Sequence, residues 1–357
     1  MLREKFKNKN GITLVALLVT IIIKLILAGI SISSLTKTGI FQKANEAKQK
    51  SEEAEENQTK TLNEYENELD KYIYGNNSKD RLVSDNIGKV LSTADNTELK
   101  DSNGNKIVVP VGFKITNDAT TVDKGIVIED ATVDSNGSAT ATNGSQFVWV
   151  PVGTIYTDTE HTDINTKTIT LGRYDFDKTT GVETICSGNF EEEDKRDTTK
   201  LRKLGNTIAK DINAFKTSVE KNGGYYIGRY EARTTIERTS GENVLTQITE
   251  KGTDQVYNYI TQPQAAELAQ NMYNNPKFTS DLMNSYAWDT AIIFIQRCTN
   301  QTNYANQSSK YSLSQIGTTT DKQCNIFDMA KNLWEHTTET CISSNPCVNR
   351  GGNSNIR

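Results

Sequence analysis

The sequence contains little histidine, and this scarcity excludes one class of site at the outset. Only His161 and His336 are present among 357 residues, so a histidine-rich metal centre cannot form. The five cysteines show none of the paired CxxC spacings that zinc and redox sites use. Cys341 and Cys347 frame a short loop and could form a local disulfide, although free thiols fit the sequence equally well.

Basic clusters are also missing beyond the first ten residues. The formal net charge at pH 7 is −5, which argues against nucleic acid as a partner. No Gly-rich phosphate loop, G-x-S-x-G turn or HExxH motif occurs. The sequence therefore lacks the common signatures of nucleotide, serine and zinc hydrolases.

One long apolar run stands out against this polar background. From Ile12 to Ile32 nearly every residue is Ile, Leu, Val or Ala, and a helix of that length spans about 30 Å of hydrocarbon. Lys24 lies near the middle of the run, where an ammonium costs roughly 2.5 to 3.5 kcal/mol, but the many aliphatic residues outweigh that cost. Residues 12–33 are therefore predicted to form a single transmembrane helix.

A basic leader, residues 1–11, precedes this helix and predicts a cytoplasmic N-terminus with an extracellular C-terminal part. The leader ends at Gly11, and the helix begins with the sequence ITLVALL. This arrangement resembles type IV prepilins and pseudopilins, and the resemblance implies that prepilin peptidase cleaves between Gly11 and Ile12. Ala16 stands where the family normally has a glutamate that pairs with a neighbouring subunit, a departure that pseudopilins at a filament tip can share.

Two segments connect the membrane helix to the rest of the chain. Residues 34–75 are rich in Glu, Lys, Ala and Gln and contain no proline, a composition that favours a helix. This predicted stalk either continues the membrane helix beneath a globular head or is a solvated coiled segment. Residues 76–145 alternate turn clusters with β-branched runs at 106–116 and 125–128, so they are predicted to form a linker with short strands.

Residues 146–357 have the pattern of an α+β domain. Strand-like runs occur at FVWVPVGTIY and GGYYIGRY, and helical patterns occur at ITQPQAAELAQNMY and SDLMNSYAWDTAIIFIQRC. Glu231 is interpreted as a structural ion-pair partner of Arg229, and Asp289 as a capping or pairing residue. The predicted fold class of the chain is thus α+β, with a long N-terminal membrane helix and stalk before a globular domain.

An ordered motif lies near the C-terminus of this domain. It reads N-x-x-D-M-x-K-N-L-W-E-H-T from Asn325 to Thr337, and RGG follows it. Together with the FVWVPVG and YYIGRYEA runs, it resembles the formylglycine-generating enzyme or sulfatase-modifying-factor family over roughly residues 146–352. The resemblance implies a variant of the C-type lectin fold with these structural motif residues: Asp328, Met329, Trp334, Arg350, Gly351 and Gly352.

The same resemblance implies a calcium site. In the family this turn supplies oxygen ligands, and the matching residues are Asn332 and Glu335, whose hard donors suit Ca²⁺. The alternative is that Glu335 bonds the backbone amides of the turn while Trp334 fills the core. The oxidase members use a copper-binding cysteine pair after RGG, but this chain stops five residues after Gly352. No catalytic residue is therefore carried over, and a truncated C-terminal edge is one interpretation.

These features predict a non-catalytic cell-membrane protein with a lectin-like binding head, either a minor or tip pilin or an adhesin. Its expected partners are the membrane, prepilin peptidase, other pilin-like subunits and a surface ligand. Two alternatives stay open: an enzyme of the formylglycine-generating type that modifies sulfatases, and a ligand-binding protein on a plain signal anchor without a pilus. The polar segments 299–323 and 343–357 are the expected contact loops.

Overall fold

The computed structural model describes most of the chain beyond residue 81 and a few positions before it. The described residues are 24, 48–51, 54, 58, 61, 82–92, 94–131, 144–186, 212–234, 236, 238–241, 248–252, 255–307, 317, 320–339 and 349–351. The chain divides into two units, residues 1–76 and 77–357.

The first unit is helical at every position that is described, including Lys24 and residues 48–51. No helix in the described part of the chain is both long enough and apolar enough to span a bilayer. The predicted transmembrane helix, residues 12–33, lies outside the described residues apart from Lys24. The predicted cleavage site at Gly11 and Ile12 lies outside them as well.

The second unit mixes helices and strands, which confirms the α+β class. Its described α-helices are α1 (Ile212–Asn222), α2 (Gln262–Asn271) and α3 (Ser285–Cys298). Its described strands are β1 (Thr97–Lys100), β2 (Lys106–Val109), β3 (Phe113–Ile115), β4 (Val127–Asp130), β5 (Gln146–Pro151), β6 (Gly153–Tyr156), β7 (Thr166–Ile169), β8 (Tyr174–Phe176), β9 (Glu183–Ile185), β10 (Gly224–Gly228), β11 (Arg233–Thr234), β12 (Gln255–Val256), β13 (Lys322–Gln323), β14 (Ile326–Phe327), β15 (Glu335–His336) and β16 (Asn349–Arg350).

A four-stranded antiparallel sheet with the order β10-β5-β4-β3 forms the centre of this unit. Strand β5 is central, with Trp149 opposite Tyr226 on β10 and Val148 opposite Val127 on β4. Since β5 is rich in valine and aromatic residues and is mostly buried, it fits a core position. The other described strands pair as antiparallel two-stranded ribbons: β1 with β2, β6 with β7, β8 with β9, β11 with β12, β13 with β14, and β15 with β16.

The sheet changes the assignment of residues 76–145. The predicted short strands are present as β2, β3 and β4, but β4 pairs directly with β5 across the expected boundary at residue 146. Buried side chains of this segment, such as Ile115, Ile126 and Ile128, also belong to the common core. The described part of 76–145 is thus an integral half of the sheet rather than a linker.

Helices α2 and α3 occupy the two helical patterns read from the sequence. Thr261 and Gln264 form a reciprocal capping box at the start of α2, and Pro263 lies in its first turn, where it removes no helical hydrogen bond. Asn284 caps α3 by accepting a hydrogen bond from the Ala287 amide at 2.8 Å. Helix α3 is buried from Ala287 to Gln296 and contacts β5, β7 and β8, as a helix that is apolar on nearly all sides should.

Ion pairs with buried members connect the loops to these elements. Arg229, just after β10, makes a bidentate pair with Asp118 at 2.7 and 2.9 Å. The expected pairing of Arg229 with Glu231 is therefore wrong, because the Arg229 guanidinium pairs with Asp118 and the Glu231 carboxylate accepts hydrogen bonds from Asn332 and Leu333 instead. Asp289 on α3 pairs with Arg173 at 2.7 Å, as its interpretation as a pairing residue predicted.

The cysteines that are described are Cys186, Cys298 and Cys324, and Cys298 and Cys324 are free thiols. Burial raises the pKa of the Cys298 thiol to about 12 and raises that of Cys324 well above its usual value. Both thiols are consequently protonated at neutral pH and poor nucleophiles. Cys341 and Cys347, the proposed local pair, lie outside the described residues.

Candidate functional site

A cavity of about 670 Å³ lies beside the central sheet. It is bounded by β5, β10, α1, α2, the start of α3 and residues 326–338. Its wall is mainly apolar and aromatic, with contributions from Trp149, Tyr226, Tyr257, Trp288 and Trp334. A volume of this size and a lining of this kind are typical of a site for a small organic ligand.

Three glutamates interrupt the apolar wall: Glu231, Glu250 and Glu335. We call these residues the glutamate group. Glu231 follows β10, Glu250 precedes β12, and Glu335 lies on β15, so three separate segments bring them to one cavity. Because charged side chains are rarely buried without a compensating partner, their surroundings decide what the cavity can bind.

Glu231 is bound to the turn that carries the sequence motif. One carboxylate oxygen accepts a hydrogen bond from the Leu333 amide at 3.0 Å, and the other accepts one from the Asn332 side chain. Glu231 is 6% exposed. Burial, followed by the nearby charge of Glu335, raises the pKa of the Glu231 carboxyl well above its usual value.

Glu335 faces the start of α3. Its Oε2 accepts a hydrogen bond from the Trp288 indole nitrogen at 3.0 Å. Burial raises the pKa of Glu335 to about 7, and the charges of Asp328 and Asp321 act in the same direction, while the Trp288 hydrogen bond opposes them. Glu335 therefore changes its charge near neutral pH.

Glu250 is the least satisfied member of the glutamate group. It is 8% exposed, and its Oε2 finds no hydrogen-bond partner among the described residues. This oxygen lies against the Gly228 backbone, where a β-carbon would come within 2.5 Å of it. Burial raises the pKa of Glu250 well above its usual value, although the charge of Arg233 opposes the shift.

The predicted calcium ligands, Asn332 and Glu335, have different hydrogen-bond partners in this arrangement. The Asn332 amide donates to Glu231, whereas the Glu335 carboxylate accepts from Trp288. Within the described residues, no group of three or more His, Cys, Asp and Glu side chains is placed to hold a metal ion. Calcium binding at Asn332 and Glu335 stays a prediction.

The alternative interpretation of this turn is wrong in two respects. Trp334 is 58% exposed at the cavity wall instead of filling the core. The hydrogen bond found for Glu335 comes from an indole, and Glu231 is the residue that bonds a backbone amide of the turn. Trp334 lies directly before the short strand β15, whose pairing with β16 fixes the backbone there.

The other motif residues have structural surroundings. Asp328 is fully buried in a left-handed conformation (φ +65°), and its amide donates to the Asp321 carbonyl at 3.0 Å. Met329 is buried in the core. Arg350 pairs with Glu339 at 3.1 Å and with Asp289 at 3.7 Å. Gly351 has φ +83°, and Gly352 lies outside the described residues.

Sequence reasoning missed the role of Glu250 and misread that of Glu231. Glu250 lies in the polar stretch TQITEKG, which carries no periodic signal of burial. Glu231 is adjacent in sequence to a recognised strand, but its partners Asn332 and Leu333 come from about a hundred residues later in the chain. No local pattern reports such a contact.

Comparison with known proteins adds no relative: no family model, curated protein or solved structure matches this chain significantly.

Proposed function

We propose that this chain is a non-catalytic protein of the cell membrane whose second unit is a ligand-binding head. The observation that carries the proposal is the 670 Å³ aromatic cavity with three glutamates in its wall. A structural subunit without a ligand has no need to keep such a cavity open, because filling it with side chains would add stability. The cavity thus supports a binding role.

The N-terminal sequence supplies the proposed location. The apolar run 12–33 after a basic leader supports a single-pass membrane segment with the binding head outside the cell. The sequence at Gly11 and Ile12 supports a pilin-like subunit, either a minor or tip pilin or an adhesin. The membrane, prepilin peptidase, other pilin-like subunits and a surface ligand are the proposed partners.

We also propose that the head has a sulfatase-modifying-factor-like variant of the C-type lectin fold. Support comes from the order of its elements: the paired β5 and β10, then α2 and α3, then β14, β15 and β16 around the motif. Calcium bound at Asn332 and Glu335 belongs to this proposal. Calcium-dependent thermal stabilisation that is lost in Asn332→Ala and retained in Asn103→Ala would test it.

The decisive experiment is the intact mass of the membrane-extracted chain, expressed with and without a prepilin peptidase. Loss of residues 1–11 only when the peptidase is present, leaving Ile12 as the N-terminus, is the expected result. A Gly11→Leu variant serves as the control and should stay unprocessed. An unprocessed wild-type chain would overturn the pilin-like assignment and favour a binding head on a plain signal anchor.

A further inference from the structure

We propose that the cavity binds an organic cation, namely an ammonium or guanidinium group carried on an apolar body. This inference rests on the proposed binding function and specifies the chemical class of its ligand. Three independent properties of the cavity support it: the unpaired Glu250 oxygen, the sign of the surrounding charge, and the volume and apolarity of the wall.

The unpaired oxygen requires a hydrogen-bond donor. Glu250 is more than nine-tenths buried, and its Oε2 has no hydrogen-bond partner among the described residues. A buried carboxylate oxygen without a donor loses the hydration that it had in the unfolded chain and gains nothing in exchange. An N–H group of a ligand would restore that hydrogen bond and, if it is cationic, would strengthen it.

The ionisable groups at this end of the cavity are mainly acids. The charges of Glu335 and Asp328 raise the pKa of Glu231, and those of Asp328 and Asp321 raise the pKa of Glu335. Arg233 is the cation that acts on Glu250. Lys277 also lines the cavity, but its ammonium group is paired with Asp95 near the surface. A cationic ligand would therefore lower the free energy of several carboxylates at once.

The size and character of the wall favour an organic cation over a bare inorganic cation as the ligand that fills the cavity. A volume of about 670 Å³ is far larger than a single ion needs, and hard cations prefer several oxygen ligands rather than indole and phenol rings. Aromatic faces, in contrast, attract organic cations through the ring quadrupole. Trp334, which precedes Glu335 and is exposed at the cavity wall, and Trp288, which donates a hydrogen bond to Glu335, place such rings beside the glutamate group.

Titration of the full-length chain in lipid nanodiscs with three matched probes tests the proposal. The probes are 2-phenylethylamine, the neutral 2-phenylethanol and the anionic phenylacetate, with binding measured by calorimetry. We expect the amine to bind at least about tenfold more tightly than the alcohol, because a charge-assisted hydrogen bond distinguishes them. Phenylacetate should bind more weakly than both.

Two variants test whether the glutamate group binds the amine. Glu250→Gln keeps the shape of the side chain but removes its charge, and it should weaken amine binding about tenfold or more while changing alcohol binding by less than about twofold. Glu335→Gln should act in the same direction, so the test does not depend on the folding of one variant. Glu98→Gln is the control, because Glu98 lies on β1 in an exposed ion pair with Lys106.

Each outcome has a distinct meaning. Equal binding of amine and alcohol would overturn the cation assignment while leaving a binding cavity, and amine binding that is unchanged in both variants would overturn its location. Absence of binding by all three probes at millimolar concentration would also overturn the inference. Processing at Gly11 is measured separately, so failure of the cation assignment and failure of the pilin-like assignment are distinguishable.

Discussion

At the scale of single residues, the motif turn depends on backbone conformations that few side chains accept. Asp328 and Asn332 adopt positive φ angles of +65° and +70°, and Gly351 adopts +83°. Aspartate and asparagine tolerate the left-handed region better than most residues, and glycine enters it freely. The residue types of the motif are therefore explained by backbone geometry as well as by their side-chain contacts.

Gly351→Ala should destabilise the second unit. The added β-carbon would lie 3.1 Å from the Met329 carbonyl oxygen and 3.3 Å from Glu335 Oε2, in a conformation that already disfavours alanine. We expect a loss of about 1–3 kcal/mol in the free energy of unfolding, measured by urea denaturation. Gly241→Ala is the matched control, because a β-carbon there meets no atom within 4 Å. Equal effects of the two substitutions would contradict this explanation.

The protonation of Glu335 predicts how stability depends on pH. Its pKa is about 7 in the folded chain against 4.5 for a free glutamate side chain, so the folded state binds more protons than the unfolded state between these values. The free energy of unfolding should therefore decrease as pH rises from about 4.5 to 7, by an amount on the order of 2–3 kcal/mol from this residue. Glu231 and Glu250, whose pKa values are also raised, act in the same direction.

Glu335→Gln isolates this contribution. The glutamine can still accept the Trp288 hydrogen bond but does not titrate, so the variant should lose less stability than the wild type between pH 4.5 and 7. Urea denaturation at a series of pH values measures the difference, with Glu98→Gln as the exposed control. Parallel pH profiles for wild type and Glu335→Gln would show that Glu335 titrates normally.

At the scale of elements, a network of buried charges joins α3 to the last strands. Arg173, before β8, pairs with Asp289 on α3 at 2.7 Å and with Glu339 at 2.8 Å. Arg350 on β16 reaches the same two carboxylates at 3.7 and 3.1 Å. Two arginines thus balance two buried acids, and the RGG motif contributes one of the four charges.

Arg173→Met should destabilise the second unit, because it breaks this network. Loss of the guanidinium leaves Asp289 and Glu339 buried with Arg350 as their remaining partner, and removal of one member of a buried pair costs about 3–5 kcal/mol. Thermal or urea unfolding measures the loss. Arg297→Met is the control, because Arg297 pairs with Glu183 while remaining 45% exposed, and such a pair contributes about 1 kcal/mol or less. A small effect of both variants would mean that Arg350 compensates fully.

At the scale of the whole molecule, the second unit is built from both sides of residue 146. The sheet takes β3 and β4 from before this position and β5 and β10 from after it. Phe113 on β3 also packs edge-to-face against Phe147 on β5, with ring centroids 6.0 Å apart. Neither part contains a complete sheet by itself.

A fragment comprising residues 146–357 should therefore fail to fold cooperatively. It would leave one edge of β5 unpaired and expose core residues such as Val148, a combination that favours aggregation. Residues 77–357 should instead show a single cooperative thermal transition by circular dichroism. Cooperative unfolding of the shorter fragment would contradict the integral role of β3 and β4.

Local signals in the sequence identified helices α2 and α3 and strands β5 and β10, but not α1 or strands β7 to β9. These signals depend only on neighbours within a few residues, so they can be recognised from the sequence alone. They are the apolar periodicity of α3, the capping box and early proline of α2, and the valine-rich sequence of β5. The same local reading also identified the motif turn and the strands of 106–128. It placed these strands, but not the motif turn, in a linker, because strand pairing is a contact between distant segments.

Only the tertiary structure decided which polar residues share a site. Glu231, Glu250 and Glu335 are unrelated in sequence pattern, and they meet because β10, the segment before β12, and β15 converge on one cavity. Their raised pKa values arise from burial and from the charges of nearby acids. Sequence alone fixes which residues can carry charge, whereas desolvation depends on everything that surrounds them in space, so the chemistry of the cavity appears only once the chain is folded.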